Sequence, residues 1–428
     1  MLKPISRALV LVCLLTCPCL ADIKTYIDKP DDSYAYKVVQ EQQVMGVNIR
    51  VVDFTSQTWE DKPWQHWLFL ITPKVIQHPG KAILIIAGGS NRPGIPKLPK
   101  EVGLLASTCE QLGVPVAILA QVPNQPLYDN LREDNLIAHS MTMYFASGNE
   151  EQILLLPMVK SAVKAMDCIS ELMTESHGKP VDEFVVSGAS KRGWTTYLTA
   201  AVDQRVIAAA PMVIDMLKLP EQMEKQKQVY GEQLSPKITP YTSRGVLQKM
   251  QTEDGKALVA LIDPYAYRKL LTMPKLLLLG TNDPFWTVDA ANVYYDDLPG
   301  IKYMCYVANA GHGLNLAVLP TLLNFFKASV SQTALATLNW TRNDDGSTTI
   351  QCKQKPITLK LWQSDNPSMD FRQSQWTSKL ITLDVDELNI KPDKPTDGYL
   401  AYYVEATFAS AHNLPYTLST QITVLNAL

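Results

Sequence analysis

Ser190, Asp283 and His312 are the residue types, in the chain order, that acyl transfer by an activated serine requires. The serine lies in Val185-Val186-Ser187-Gly188-Ala189-Ser190-Lys191-Arg192-Gly193-Trp194, which reads as an apolar strand, a glycine, the serine and a helix start. A sharp strand-to-helix turn lifts such a serine above a sheet and leaves no room for large neighbours. Gly188 and Ala189 meet that demand before the serine. After it the glycine comes one place late, because Arg192 holds the second position and Gly193 the third, so the motif is G-x-S-x-x-G. A plain Gly-rich turn would share these residues, and the other two members of the set make the pattern specific. Asp283 leaves the end of the strand Leu276 to Gly280, and His312 leaves the end of the strand Tyr303 to Val307 between Gly311 and Gly313. In such a set the serine attacks a carbonyl. The histidine takes its proton and returns it to the leaving group, and the aspartate holds the imidazole. The glycines flanking His312 are expected to let the ring project into a tight site.

Other residues compete or assist. Asp215 and Asp289 are alternative acids; Asp283 is preferred because it directly follows its strand. The Lys191 N–H is a candidate oxyanion donor, and its ammonium could add charge stabilisation. Gly88-Gly89, after the apolar run Ala82 to Ala87, suits the second donor, although a simple Gly turn accounts for it equally well. No G-K-[ST] follows, so it is not a phosphate loop. Trp286 is a candidate pocket wall, with Phe285 and Tyr265 nearby. Trp194 reads as packing. Of six histidines, only His312 sits in a Gly-rich turn after an apolar strand; His66, His78, His139, His177 and His412 read as packing or surface residues.

The elements that must position these groups are short, continuous apolar runs. Trp67 to Thr72, Ala82 to Ala87, Val114 to Ala120, Glu183 to Ser187, part of Val206 to Ile214, Lys275 to Gly280 and Lys302 to Val307 read as strands, most of them buried on both faces. Helical patterns alternate with them at Glu151 to Thr174, Trp194 to Val202 and Leu316 to Ser329. That alternation predicts an α/β, doubly wound, mostly parallel sheet. Residues 218–271, rich in Gln and Lys, break the alternation and are predicted to form a helical cap over the carboxyl ends of the strands. After residue 330 come short strand-like segments separated by Asp345-Gly346, Asn366-Pro367 and Asp397-Gly398. These predict a C-terminal all-β, sandwich-like domain over 331–428, following a hydrolase domain over 22–330.

The chain has 428 residues, 46% of them hydrophobic and 19% charged, with a formal net charge of −3. Nothing basic is concentrated enough for nucleic acid, and no metal-ligand spacing or repeat appears. Lys3 and Arg7 precede the apolar run Ala8 to Thr16, and Ala21 suits a cleavage site. Residues 1–21 therefore read as a signal peptide, giving a secreted or periplasmic protein with no membrane span once the leader is removed. Four of seven cysteines then remain (Cys109, Cys168, Cys305 and Cys352), and free buried thiols are favoured over the three possible full pairings. The chemistry calls for no cofactor or metal and for a small-molecule or peptide substrate.

The G-x-S-x-x-G spacing, with Lys191 directly after the serine, resembles the elbow of glucuronoyl-esterase-type hydrolases. A longer resemblance covers nearly the whole mature chain. Gly188 to Thr196, Ala210-Pro211-Met212-Val213-Ile214-Asp215, Gln121-Val122-Pro123-Asn124-Gln125-Pro126, Asp263-Pro264-Tyr265, Asn282 to Trp286, and Lys360-Leu361-Trp362 with Gly398-Tyr399 resemble the PhoPQ-activated pathogenicity-related family. The resemblance implies a secreted α/β-hydrolase-like protein linked to virulence, envelope stress or extracellular signalling. It implies no substrate. A serine esterase, a dipeptidyl-type serine peptidase and a secreted binding or signalling protein that kept the fold all remain open.

Overall fold

A computed structural model describes residues 23–91, 94–98, 102–382, 387–411 and 414–427. The leader expected at 1–21, His412 and residues 383–385, the end of a strand-like segment that the sequence places at 380–385, lie outside the described residues.

Nine strands form one sheet: β1 Ala35–Val44, β2 Val47–Trp59, β3 Lys62–Thr72, β4 Lys81–Ile86, β5 Val116–Leu119, β6 Glu183–Ala189, β7 Val206–Met212, β8 Lys275–Gly280 and β9 Lys302–Val307. Their order is β1-β2-β3-β5-β4-β6-β7-β8-β9. β1, β2, β3 and β5 pair antiparallel, and β5 through β9 pair parallel. β1 and β2 are additions to the elements expected from sequence. β1 (AYKVVQEQQV) is an edge strand with no fully buried residue, so it lacks the apolar run that marks a central strand. By contrast β8 (KLLLLG) is buried throughout.

The helices are α1 Ile23–Asp28, α2 Val102–Leu112, α3 Glu133–Ser147, α4 Leu155–His177, α5 Lys191–Val202, α6 Leu219–Tyr230, α7 Thr239–Thr242, α8 Val246–Lys249, α9 Glu253–Ile262 and α10 Leu319–Val330. α4 begins later than expected because residues 150–152 form a separate turn of 3-10 helix capped by Asn149. It stops at Gly178, whose φ of 70° a residue with a Cβ would resist. α4 packs Leu155, Val159, Met166 and Ile169 into one face of the sheet. On the other face lie α2 and α10, through Cys109, Leu112, Phe325 and Phe326. α6 to α9 fill the interval between β7 and β8 as the cap. This is the α/β-hydrolase arrangement, with the sharp turn that carries Ser190 after β6.

The C-terminal strands are β10 Leu338–Arg342, β11 Thr348–Cys352, β12 Thr358–Asn366, β13 Thr377–Ile381, β14 Glu387–Ile390, β15 Tyr399–Phe408, β16 Tyr416–Ser419 and β17 Thr423–Asn426. They form two antiparallel sheets, β10-β11-β14 and β13-β12-β15-β16, with β17 also on β15. β15 shows why this module is not free-standing. Its side chains alternate between faces. Leu400, Tyr402 and Val404 join Ile350 and Ile390 between the two sheets. Ala401 and Tyr403 face the other way, into the core of the large sheet, where the Tyr403 ring lies 5.6 Å from that of Tyr306. Ser419 Oγ accepts the Tyr306 backbone N–H at 2.9 Å, satisfying a donor on the edge strand β9. Cys109, Cys168, Cys305 and Cys352 are buried free thiols.

Because both faces of β15 are buried, residues 331–428 and the large sheet should melt together. Calorimetry of the chain from residue 23 onward should show one cooperative transition, and a chain ending at 330 should be insoluble or unfolded. Two resolved transitions, or a well-folded 23–330 fragment, would contradict this coupling.

Candidate active site

Ser190 ends the turn from β6 into α5 with φ 60° and ψ −127°. Such a conformation costs a non-glycine residue on the order of 1–3 kcal/mol and persists only where its surroundings enforce it. The enforcement is close packing. A Cβ on Gly188 would lie 2.7 Å from the Arg192 carbonyl oxygen, and one on Gly193 would lie 2.7 Å from Ile214 Cγ2 and 2.9 Å from the Met212 carbonyl oxygen. The late glycine therefore sits where α5 passes against the end of β7. The Ser190 N–H donates to Met212 O at 2.8 Å, which ties the turn to β7.

Three strand ends bring the candidate residues together. His312 Nε2 lies 2.7 Å from Ser190 Oγ, and its Nδ1 lies 2.8 Å from Asp283 Oδ2. The other Asp283 oxygen accepts the Phe285 N–H at 2.9 Å, so the carboxylate is fixed at both oxygens. The Phe285 ring packs on the imidazole at 4.2 Å between centroids. The glycine that crowding demands here is not one of those flanking His312. A Cβ on Gly313 would meet nothing within 4 Å, and one on Gly311 only Asn282 O at 3.6 Å. At Gly280, the last residue of β8, a Cβ would lie 2.4 Å from Ala310 O. Gly280 lets the histidine loop lie against the aspartate loop.

Both loops are braced from outside the large sheet. Asn282 Nδ2 donates to Ser374 O at 2.7 Å. Asn309 Nδ2 donates to Trp376 O at 3.0 Å, and its Oδ1 accepts the Trp376 N–H at 2.8 Å. From the cap, Gln226, Ser235 and Tyr230 donate to the carbonyls of Phe285, Pro284 and Trp286 at 3.1, 2.6 and 2.9 Å. These braces escape a motif search, since nothing in the sequence links Asn282 or Asn309 to a segment more than 60 residues away.

Lys191 is the first residue of α5, so its backbone N–H has no acceptor within the helix. Its ammonium is already committed, 2.9 Å from Glu133 Oε2 and 3.1 Å from Asp134 Oδ2. Arg192 pairs with Glu133 through both nitrogens at 2.8 and 2.6 Å. Burial would raise the Glu133 carboxyl, but the hydrogen bond and charge of Arg192, with the charge of Lys191, outweigh it and hold it at about 2. Two cations and two anions thus neutralise one another beneath the elbow, which leaves the Lys191 N–H, and not its ammonium, as the candidate donor to a substrate oxygen. Glu133 and Asp134 are absent from the sequence reading because α3 itself is. The acidic first turn of that helix is the signal that could have found them.

Gly88 and Gly89, the expected second oxyanion donor, follow β4, which pairs with β6 in the sheet. They line a separate groove with Trp67, Phe69 and Gln121. A Cβ on Gly88 would lie 2.5 Å from Arg192 Nη2, so the glycine is explained by the guanidinium resting on it. Trp286 does line the cavity beside Ser190, with Lys191, Trp194, Phe285 and His312. Tyr265 lies elsewhere, donating to Asp297 at 2.7 Å.

Of the competing acids, Asp289 pairs with Lys225 at 2.8 Å. Asp215 is buried and accepts from the Tyr294 hydroxyl at 2.6 Å. Burial, and then the nearby charges of Asp283 and Asp289, push its carboxyl up to about 7 against the opposing Tyr294 hydrogen bond. His66, also buried, is held down at about 4 by desolvation and bonded to Ser56 and Ser161 at 3.1 and 3.0 Å.

Comparison with known proteins agrees with this architecture. The family model described as PhoPQ-activated pathogenicity-related protein matches residues 23–372. Autocrine proliferation repressor protein A of Dictyostelium discoideum is 29% identical over 432 residues, spanning 91% of this chain and 86% of that protein. Among solved structures, acetyl xylan esterase 1 from a Thermoanaerobacterium species superposes with a TM-score of 0.51 at 15% identity. An acetyl xylan esterase from a Paenibacillus species gives 0.52 at 16%. Each alignment covers 72% of this chain and 92% of the other. At such identities the likeness is one of fold. No helix among the described residues is long and apolar enough to cross a membrane.

The raised Asp215 carboxyl makes a stability prediction. With a folded value of about 7 and an ordinary unfolded one, its contribution is fully present below about pH 4 and is lost as pH rises through 7. Asp215→Asn, which still accepts from Tyr294, should melt higher than the parent above pH 7, with the gap closing towards pH 4. A gap independent of pH in thermal melts would contradict this assignment.

Proposed function

The chain belongs to the PhoPQ-activated pathogenicity-related family, and from that premise and the site geometry we propose that it is a serine hydrolase acting on an ester or related acyl substrate. The observation that carries the reading is the unbroken relay Ser190 Oγ–His312–Asp283, with contacts of 2.7 and 2.8 Å. Ser190 Oγ forms a bond to the acyl carbon while its proton passes to His312 Nε2. The C–O bond to the alcohol breaks as that proton moves to the leaving oxygen. Water then attacks the acyl-enzyme, with His312 as base, releasing the acid and restoring Ser190. Asp283 holds Nδ1 protonated, so that Nε2 can accept. The developing oxyanion is stabilised by the Lys191 N–H and by the N-terminal end of the α5 dipole.

Residues 22–330 form the catalytic unit in this reading, residues 218–271 its cap, and residues 331–428 a module that holds the two catalytic loops. The leader-like residues 1–21 support export, to the periplasm or outside the cell. The family description and the leader together support a role in virulence or envelope stress. A dipeptidyl-type peptidase would use the same three residues, so paired ester and dipeptide substrates separate the two.

Hydrolysis of p-nitrophenyl esters tests the reading. Ser190→Ala and His312→Ala should each lower kcat by about a millionfold. Asp283→Asn should lower it on the order of ten-thousand-fold with little change in KM. Folded variants that keep the parent rate would remove the mechanism and leave a binding or signalling protein built on a hydrolase fold.

A further inference from the structure

The cavity beside Ser190 is almost wholly hydrocarbon. We propose that it is an acyl-chain pocket, and that the substrates are esters of medium-length aliphatic acids; this rests on Ser190 being the nucleophile. The cavity holds about 730 Å³ of empty space, the part open to solvent included. Its walls include Met141, Met216, Met223, Met250, Ile262 and Trp286. Four methionines give a wall that adapts to a flexible chain.

Apart from the reacting pair and the Trp286 indole N–H, the polar side chains in the wall are already occupied. Tyr241 donates to Asp134 at 3.0 Å, the Trp194 N–H goes to the Ile262 carbonyl, and the Lys191 ammonium sits between Glu133 and Asp134. A group with several hydroxyls placed here would give up more hydrogen bonds to water than these few groups return. An aliphatic chain gives up nothing. An acetyl methyl would touch only a few of the apolar side chains that line the cavity.

The chain belongs on the acyl side for a kinetic reason. The alcohol must depart before water can attack, whereas the acyl group stays bonded to Ser190 Oγ, which itself lines the cavity. Space roofed by the cap suits the part that remains attached. The roof comes from α6, α8 and α9, through Met223, Val246 and Leu258, so the inserted segment sets the specificity.

Two ester series with the full-length protein test this. In p-nitrophenyl esters of straight-chain acids from C2 to C10, kcat/KM should rise by up to about fourfold per added methylene over the first several carbons. In alkyl acetates of matching length it should stay flat. Val246→Trp, which fills the cavity from the roof, should move the preferred acyl length to shorter chains. A flat or falling acyl profile with measurable turnover would overturn the pocket while leaving the serine mechanism standing. So would a rise confined to the alkyl acetates. No turnover on any ester, with Ser190 unreactive, would overturn both.

Discussion

Ser190 can hold a φ of 60° only because three backbone segments come closer at the end of β6 than any side chain would permit. Gly188 admits the Arg192 carbonyl, Gly193 admits the end of β7, and the Ser190 N–H is tied to Met212 O. The rest of the architecture follows from that turn. A serine lifted above the carboxyl edge of a parallel sheet can be reached only from loops leaving the neighbouring strands on that edge. β8 and β9 lie two and three places from β6 in the sheet order, and their loops supply Asp283 and His312. Gly280 closes the gap between those two loops as Gly193 closes the gap at the elbow.

Loops alone would not keep these contacts near 2.8 Å. Here the Asp283 loop is gripped on two sides and the His312 loop is held through Asn309. The segment Phe371 to Trp376 of the C-terminal module holds Asn282 and Asn309, while α6 and the turn after it hold the carbonyls of residues 284–286. The C-terminal module thus has a physical task, and the burial of both faces of β15 shows how firmly it is attached. Directly under the elbow, the pairing of Lys191 and Arg192 with Glu133 and Asp134 fixes α3 to the start of α5 without leaving a net charge.

The sequence made the central sheet and its strand ends legible because those signals are local. Continuous apolar runs mark strands buried on both faces, and glycines mark the turns between. β1 was missed because alternation on a half-exposed edge looks like ordinary surface sequence, and β2 because polar residues such as Asn48, Arg50, Asp53 and Gln57 interrupt its apolar positions. The G-x-S-x-x-G turn singled out Ser190, and strand-end position with chain order singled out Asp283 and His312, which lie within hydrogen-bonding reach of one another; family resemblance carried the fold further than periodicity could. Gly88 and Gly89 stay ambiguous in the sequence because a glycine pair after a strand has several physical causes. Only the coordinates reveal Arg192 lying over the first of them. The Asn282 and Asn309 braces and the hydrocarbon cavity depend on contacts across the whole chain, and no local pattern encodes them.

The central claim is that His312 activates one serine out of many. Brief exposure of the purified protein to a small fluorophosphonate, read by intact mass and peptide mapping, tests it most directly. The account predicts a single adduct on Ser190, absent in Ser190→Ala and strongly slowed in His312→Ala. A folded parent that takes up no label, or takes it up equally in Ser190→Ala, would contradict the account.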